Sequence, residues 1–533
     1  MKSDDKFKWF VLGDLNGFFG LMFDNLTVLS FLAGILIFAF QYPADIVYGR
    51  MFPGTAFGVL FGDLVYAWMA WKLYKKTGNT RVTAMPLGLD TPSTIGIALV
   101  VLGPAFIGLK AEGMEPREAA MMTWYIGMAT MVFIGFTKVV FSFFGNWMNR
   151  IVPQAGLLGS LAGIGLALIG IIPLIDIFGA PVIGLVALGI VLTTLVAGIR
   201  LPFQIPGVLA SVIIGTVLYY GLGSTGLVGA SVPVWPPLEL HFGLPIPSLE
   251  FLKGLGPALK YLPLAIPFAI LTVVGGINTT ESARVAGDDY HTRDILLTEA
   301  VATLIAGVCG GVAQTTPYIG QPAYKRMGAR AGYTILTGLF IGLGGVLGYA
   351  SFIVEFIPRS VLAPILVFVA LDIIVQSFHA VPKRHGWAVA FAFFPTVARL
   401  MAIKYGTPDI VPPAVFMDLL NKAGKFLPEI LVTVALGNGF IVTAMLWGGF
   451  LAELIDRRLK RSAVYLFILA VLAFFGVIHS AIPDGSMYLP WMLTGLAQQI
   501  PYQFGLGYAA LALMVFGLSY TTGAKEPIAE PGH

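Results

Sequence analysis

The sequence has little charge and almost no cysteine. Cys309 stands alone among 533 residues, which excludes an intramolecular disulfide and makes a thiolate metal cluster implausible. Charged residues make up 11% of the chain, less than half of the roughly 25% typical of soluble domains. There is no phosphate-binding Gly-rich motif ending in Gly-Lys-Ser/Thr, and no zinc or EF-hand spacing. ATP hydrolysis and metal chemistry by this chain are therefore not expected.

Catalytic and nucleic-acid signals are also missing. No Ser-His or Cys-His arrangement stands out, and the six histidines show no helical ligand pairing, so we do not expect an enzyme. The net charge of +4 comes from bases scattered over short loops, so no nucleic-acid partner is predicted. A channel or a membrane enzyme remains an alternative class. A carrier would be distinguished from a channel by a flux that saturates with solute concentration.

Long apolar runs are abundant: hydrophobic residues make up 57% of the chain, with 64 glycines in addition. Runs near 20 residues predict membrane spans. The first series lies at 11–39, 53–74, 84–106, 118–139, 154–178, 180–198 and 203–222. The second series lies at 257–286, 292–312, 315–328, 333–354, 360–379, 386–404 and 428–454. Two further apolar stretches follow at 463–482 and 505–521.

The distribution of Lys and Arg predicts the orientation. With the N-terminus inside, these residues are more than twice as frequent in the cytoplasmic loops as in the outer ones. The charged start, MKSDDKFKWF, lacks a cleavage site and predicts a retained cytoplasmic end. We expect a multi-pass protein of the cell (inner) membrane, in contact with lipid. An odd number of spans in each half makes the second half enter from the opposite side, which is an inverted repeat.

Two polar segments interrupt the third and tenth spans. They are Met85–Ser93, MPLGLDTPS, and Thr315–Pro322, TTPYIGQP. Irregular backbone is tolerated at membrane depth only where it is buried in protein or lines a cavity. A matched pair of interrupted spans is typical of a transporter's solute site. The fold prediction is therefore an all-α polytopic 7+7 inverted repeat of about 14 helices, with discontinuous spans 3 and 10 and one or two extra C-terminal helices.

The first segment supplies Asp90, Thr91 and Ser93 as candidate solute-binding residues. Pro86 and Pro92 each remove a backbone N–H, so the helix ladder cannot be completed here. The start of a half-helix beyond Pro92 would favour an electron-rich or anionic group. In the alternative interpretation, Asp90 only caps the following helix.

The second segment supplies Gln314, Thr315, Thr316, Tyr318 and Gln321 as candidate solute-binding residues. Their amides and hydroxyls offer donors and acceptors together, which suits a neutral heterocycle, and the tyrosine ring could stack on a planar ligand. In the alternative interpretation, the threonine hydroxyls only satisfy local carbonyl groups.

Polar residues in two other spans are candidates for solute binding or ion coupling. Asn278, a further solute-binding candidate, and Glu281 are three residues apart on one helix face. A carboxylate within the bilayer is costly, so Glu281 would face protein or water and bind the coupling proton or sodium ion. Asp24 in the first span invites the same hypothesis. Alternatively, Glu281 is interfacial and pairs with Arg284 or Arg293.

Arg399 is an unusual basic residue inside a predicted span. Either it pairs across an interface between helices, or its long side chain reaches the aqueous edge of the membrane. The sequence favours the second interpretation.

Several runs resemble the nucleobase–ascorbate (xanthine/uracil) permease family. Three of them are Glu281–Gly287, Thr298–Gly307 and Gly310–Tyr318. Two further runs are similar to the guanine–hypoxanthine branch of that family, namely Thr316–Thr334 and Pro86–Asp90. The resemblance implies a core domain that moves against a gate domain in an elevator-type mechanism, usually in a homodimer. It also implies a solute held between short strands of spans 3 and 10, with proton or sodium coupling and no other cofactor.

These expectations combine into one functional hypothesis, a cation-coupled symporter of a purine- or pyrimidine-like nucleobase. The alternative is a carrier of an inorganic or small organic anion on the same fold. The absence of the family's tenth-span glutamate favours this alternative, and Asp90 and Glu281 argue against it.

The predicted domain boundaries are 1–140 and 257–356 for the core, 141–225 and 357–456 for the gate, 226–256 for an external loop, and 457–533 for the C-terminal helices and tail.

Overall fold

The structure is a computed structural model. It describes residues 6–151, 154–202, 205–227, 233–318, 320–407, 410–422, 424–483 and 485–521. Parts of the predicted external loop and of the predicted C-terminal tail lie outside these residues. The chain divides into two compact units, which are Met1–Gly145 with Ile169–Val369 (unit 1) and Asn146–Leu168 with Ala370–His533 (unit 2). The predicted division into core and gate domains stays a prediction.

The described residues are mostly helical. In the first half of the chain the elements are α1 (Gly13–Gly34), α2 (Ala44–Ile46), α3 (Phe52–Thr77), β1 (Leu87–Leu89), α4 (Thr91–Ile97), α5 (Gly103–Ala111), α6 (Pro116–Ile151), α7 (Gln154–Ile164), α8 (Ile172–Gly179), α9 (Pro181–Val191) and α10 (Gly207–Gly221). Short π-helical segments continue α1, α2, α4, α7 and α9.

The second half begins with α11 (Phe251–Ala258), α12 (Leu262–Val285), α13 (Thr292–Val308), β2 (Thr315–Pro317), α14 (Gln321–Arg326), α15 (Gly332–Leu347), α16 (Tyr349–Phe356) and α17 (Arg359–His379). It continues with α18 (Gly386–Phe391), α19 (Phe394–Tyr405), α20 (Pro413–Leu420), α21 (Glu429–Gly437), α22 (Phe440–Ile455), α23 (Leu459–Phe474) and α24 (Gln499–Thr521).

Length and composition identify the membrane-spanning helices. Within the described part of the chain, seven helices are long and apolar enough to cross a bilayer, or up to ten if each sharply bent pair counts as one span. The protein is therefore a multi-pass, all-α membrane protein, as predicted. The two extra C-terminal helices are confirmed as α23 and α24.

The discontinuous third and tenth spans are confirmed. β1 and β2 pair antiparallel, with Leu87 opposite Pro317, Gly88 opposite Thr316 and Leu89 opposite Thr315. Each strand leads into a helix with proline among its first two residues, at Pro92 in α4 and Pro322 in α14. The antiparallel pairing means that the two segments run in opposite directions, which is the relation that an inverted repeat requires.

Two predicted single spans are instead sharply bent pairs of helices. α15 and α16 meet at 97° around Gly348, and α21 and α22 meet at 81° close to Gly439. Both glycines have positive φ, at +81° and +69°, a conformation that costs other residues energy. The apolar pattern continues through each bend, so the hydropathy of the sequence does not reveal it.

Buried tyrosines hold the segment that precedes β1. The hydroxyl of Tyr290 donates to the carbonyl of Thr83 at 2.7 Å, and that of Tyr333 donates to the carbonyl of Ala84 at 2.7 Å. Both rings belong to the apolar core of unit 1, together with Leu21 and residues of α3. Each hydroxyl satisfies a carbonyl that has no helical partner, so the unwound backbone is fixed from the core side.

Candidate functional site

The candidate site is built on the paired strands of unit 1. The ladder extends beyond the strands, since the N–H of Asp90 donates to the carbonyl of Gln314 at 2.9 Å and that of Tyr318 donates to Pro86 at 2.8 Å. The structure thus brings the two predicted segments together. Their separation by more than 220 positions in the chain makes this contact a property of the tertiary fold.

Asp90 lies where β1 passes into α4. Its Oδ2 accepts from the backbone N–H of Ser93 at 2.9 Å and from the side-chain amide of Gln314 at 3.3 Å. Asp90 therefore caps the helix, as the alternative interpretation proposed, and also joins the two segments through their side chains. Thr91 and Ser93 are buried beside it.

A buried ion pair lies behind β2. Nζ of Lys138 on α6 is 2.7 Å from Oε1 of Glu299 on α13, and both side chains are fully buried. The same Nζ donates to the carbonyl of Thr315 in β2 at 2.8 Å and reaches the hydroxyl of Thr303 at 3.4 Å. The lysine thus links two helices to the unwound backbone. Asp90 lies within electrostatic range of the lysine.

Thr303 and Thr315 complete the polar network around the ion pair. Their hydroxyls are 3.2 Å apart, and the N–H of Thr315 donates to the hydroxyl of Thr303 at 3.3 Å. The hydroxyl of Thr315 also reaches the carbonyl of Glu299 at 3.3 Å. The threonine at 315 therefore satisfies local groups, as the alternative interpretation for this segment proposed.

One side of the strand pair is less closely packed. Thr316, Tyr318 and Asn278 are only partly buried, and a Cβ at Gly275 would meet no atom within 4 Å. The neighbouring Gly276 is close to the ion pair, because a Cβ there would lie 3.0 Å from Oε2 of Glu299. Thr316, Tyr318 and Asn278 therefore form the more exposed side of the strand pair, whereas Glu299 behind it is fully buried.

Gln321 belongs to a different cluster. Its amide nitrogen donates to Oδ2 of Asp288 at 2.8 Å and to the carbonyl of Thr83 at 3.3 Å. Lys325 pairs with the same carboxylate at 2.6 Å. The structure therefore does not bring Gln321 to the group around Asp90, and its amide is already used to hold the segment before β1.

The two predicted coupling carboxylates lie in contrasting environments. Glu281 is more than half exposed and pairs with Arg284, the interfacial arrangement considered as the alternative. Asp24 is 4% exposed, and the hydroxyl of Tyr318 faces it. None of the described lysine, arginine or histidine side chains forms an ion pair with Asp24. Of the two, only Asp24 lies beside the strand pair.

The site also contains residues that the sequence analysis did not select. Lys138 and Glu299 are the most important, and Asp63 on α3 is a third, since it accepts from the N–H of Leu87 in β1 at 3.2 Å while fully buried. Asn25 likewise accepts from the N–H of Leu89 at 2.9 Å. An ionisable residue inside a span is rare and costly, and this signal alone could have identified Lys138, Glu299 and Asp63.

No group of three or more His, Cys, Asp or Glu side chains among the described residues could hold a metal ion. The polar groups at the strand pair are amides, hydroxyls and one lysine as donors and backbone carbonyls as acceptors, while the carboxylates of Asp90 and Glu299 already accept from Gln314 and pair with Lys138. The charge that this site presents depends on the protonation state of the Lys138–Glu299 pair.

Comparison with known proteins found no match among protein-family profiles and none among curated proteins. Solved structures that match include the transmembrane domain of a cyanobacterium bicarbonate transporter, BicA, at 17% identity over 73% of this chain and 96% of that one, with a TM-score of 0.49. A second match is SLC26A9, at 12% identity over 83% of this chain and 66% of that one, with a TM-score of 0.49. A third is the murine SLC26A9 anion transporter in the inward-facing state, at 13% identity over 74% of this chain and 66% of that one, with a TM-score of 0.49. The chain thus spans just under two thirds of the length of the latter two.

These matches correct one prediction. The resemblance to the nucleobase–ascorbate permease family is wrong, since the matching solved structures are titled as a bicarbonate transporter and as SLC26A9 anion transporters. The motifs that suggested the permease family are short, and they lie at the unwound segments and on the neighbouring helices α12 and α13. Several folds can place such residues at a broken helix, because the need for backbone freedom is the same.

Proposed function

We propose that this protein is a secondary carrier that moves a small anion across the membrane together with a proton. The observation that carries the proposal is the fully buried Lys138–Glu299 pair, which touches the unwound backbone of β2 at Thr315. Intramembrane ionisable residues that face the protein interior are typical of solute and proton pathways.

The charge of the group links the proton to the anion. Asp90, Lys138 and Glu299 together carry one net negative charge when all are ionised, and this charge repels an anion. A proton on Glu299 brings the net charge to zero and leaves Lys138 without its partner carboxylate. The lysine then attracts an anion to the strand pair, so the two substrates bind together.

A neutral heterocycle has less support from the geometry. The amides of Gln314 and Gln321 were expected to bind its edges, but they donate to Asp90 and Asp288 within the protein. A ligand would have to displace these bonds, and each buried carboxylate would lose one of its donors, which is costly. The nucleobase hypothesis therefore gives way to the anion alternative.

In this proposal Glu299 binds the coupled proton, and Asp24 and Glu281, the two carboxylates that the sequence suggested for coupling, have secondary roles. Asp24 lies at mid-span with the hydroxyl of Tyr318 beside it. Protonation of Asp24 would therefore replace a carboxylate by a carboxylic acid as the hydrogen-bond partner of Tyr318, which belongs to the broken segment. The exposed Glu281 remains paired with Arg284. In this proposal it influences only ions that approach the protein from the surface.

The first prediction tests this proposal by uptake into proteoliposomes. Labelled bicarbonate, chloride and sulfate are compared with a panel of labelled nucleobases, with and without a proton gradient. Lys138→Met should lower anion uptake by about 10- to 100-fold, the scale of one lost charge-assisted contact. Glu299→Gln should retain uptake that no longer responds to the gradient, because glutamine mimics the protonated acid.

Two controls make the result specific. Glu281→Gln should keep the proton dependence, and the double variant Lys138→Met/Glu299→Gln should recover a monodisperse, folded protein without recovering transport. Saturable nucleobase uptake with no anion uptake would refute the proposal, and so would full anion uptake by a folded Lys138→Met protein. Loss of proton dependence in Glu281→Gln alone would assign the coupling to that residue.

A further inference from the structure

Unit 2 contains a buried guanidinium group. Arg399 lies on α19, inside the candidate span Lys383–Tyr405, and is only 7% exposed. Its Nη1 donates to Oδ1 of Asn438 at 3.0 Å, while its Nε is buried and has no hydrogen-bond partner among the residues that the structure describes. This corrects the interpretation in which the side chain reaches the aqueous edge.

The charge of Arg399 is not neutralised by the protein around it. No carboxylate among the described residues forms an ion pair with it. Arginine keeps its proton under all ordinary conditions, so the group cannot lose its charge as a buried lysine can. A buried cation requires a counter-charge, and here an anion from solution can supply it.

Asn438 cannot provide this counter-charge. Its amide nitrogen donates to the carbonyls of Ser480 and Ile482, each at 2.9 Å, which uses both N–H bonds and leaves the neutral oxygen directed at Arg399. Asn438 therefore accepts a hydrogen bond from Nη1 of the guanidinium group and does not bind its Nε.

A second unpartnered polar group lies on the same face of α19. Thr396 is three residues before Arg399 and is fully buried, and its hydroxyl has no hydrogen-bond partner within the described part of the chain. Two glycines lie against this face: a Cβ at Gly163 would be 2.9 Å from the hydroxyl of Thr396, and one at Gly437 would be 2.9 Å from Cα of Arg399. The absence of a side chain at Gly163 and Gly437 therefore allows both backbones to pack closely against α19.

We propose that the Nε of Arg399 and the hydroxyl of Thr396 form a binding site for a small monovalent anion within unit 2. A guanidinium edge with a neighbouring hydroxyl donor suits a chloride ion or a bicarbonate-sized oxyanion. The site uses none of the residues of the strand pair in unit 1, so it does not depend on the proposed transport mechanism.

The second prediction is an effect of chloride on thermal stability. The purified protein is heated in sodium chloride or in sodium gluconate at equal ionic strength, because gluconate is a much larger anion than chloride. The unfolding temperature of the unaltered protein should rise with chloride concentration, as expected for a ligand that binds only the folded state. Arg399→Met should remove most of this rise, Arg399→Lys should retain part of it, and Thr396→Val should weaken it.

Lys404→Met, on the same helix, is the matched control and should leave the chloride response unchanged. Crystals of the unaltered protein grown in bromide should show an anomalous peak in contact with the Arg399 side chain, a measurement that does not require a folded variant. The proposal fails if bromide is absent there, or if Arg399→Met folds and keeps the full chloride response.

Discussion

At the scale of single residues, burial decided which charged groups matter. Glu281 and Glu299 are both glutamates on helices that border the strand pair, but the first is paired at the surface and the second is fully buried against Lys138. The pattern of the sequence placed both in apolar surroundings. Only the packing of α6 against α13 shows which one lies at the unwound backbone.

Asp456, just beyond α22, permits a third prediction, on pH. Burial acts to raise the pKa of Asp456, but hydrogen bonds and charges from His385 and Arg384 outweigh it and hold the pKa below its ordinary value. A depressed carboxyl pKa stabilises the folded state above the unfolded pKa, and this contribution is lost as the pH falls through the folded pKa. The contribution should therefore be full at neutral pH and lost below about pH 4.

Asp456→Asn should lower the free energy of unfolding at pH 7 by about 1–3 kcal/mol, the scale of hydrogen bonds to a charged group. Denaturation followed at pH 7 and again near pH 3 measures this difference, which should shrink in acid. An equal deficit at both values would show that the charge of Asp456 is not the cause. Asp418→Asn, on the exposed side of α20, is a suitable control.

At the scale of elements, the prolines of the sequence predicted where helices are interrupted, whereas the glycines did not predict where helices bend. Pro86, Pro92, Pro317 and Pro322 correctly predicted interruptions in spans 3 and 10, because a proline removes a backbone donor wherever it lies in a helix. The glycines at the bends of α15–α16 and α21–α22 were not predicted. Glycine is frequent throughout the chain, so the few that adopt positive φ are not distinguished by sequence.

The fourth prediction concerns the bend between α21 and α22. Gly439 has φ of +69°, and a Cβ there would lie 2.5 Å from the carbonyl oxygen of Val477. Gly439→Ala should destabilise the protein by more than the roughly 1–2 kcal/mol of left-handed strain, because the clash adds to it. Gly226 has a similar φ of +74°, and a Cβ there would meet no atom of the described residues within 4 Å, so Gly226→Ala should show the strain alone.

Thermal unfolding of these two variants and of the unaltered protein gives the comparison. A Gly439→Ala protein as stable as Gly226→Ala would mean that the bend relaxes without cost. The bend also carries Asn438, so the chloride response proposed for Arg399 should weaken in Gly439→Ala.

At the scale of the whole molecule, the orientation in the membrane stays a prediction. The Lys and Arg bias places the N-terminus in the cytoplasm, together with the exposed residues Lys76 and Arg293, and it places the exposed Lys253 outside. The predicted homodimer and elevator-type motion also remain predictions, and they require measurements on the assembled protein in lipid.

The fifth prediction tests the orientation by cysteine labelling. Cys309→Ala removes the only native thiol, and single cysteines are then placed at 76, 293 and 253. In intact cells a membrane-impermeant maleimide should label only position 253, and permeabilisation should expose the other two. Labelling of 76 or 293 in intact cells, with 253 protected, would reverse the assigned orientation.

The sequence by itself determined that the chain crosses the membrane many times, that spans 3 and 10 are interrupted, and that two extra apolar helices follow the second series. Each of these properties depends on local composition, such as a run long enough to cross a bilayer or a proline that cannot donate. Only the tertiary structure decided that Lys138 pairs with Glu299, that Gln321 donates to Asp288, and that none of the described carboxylates pairs with Arg399. The energy of a buried charge depends on which groups surround it, and those groups come from distant parts of the chain.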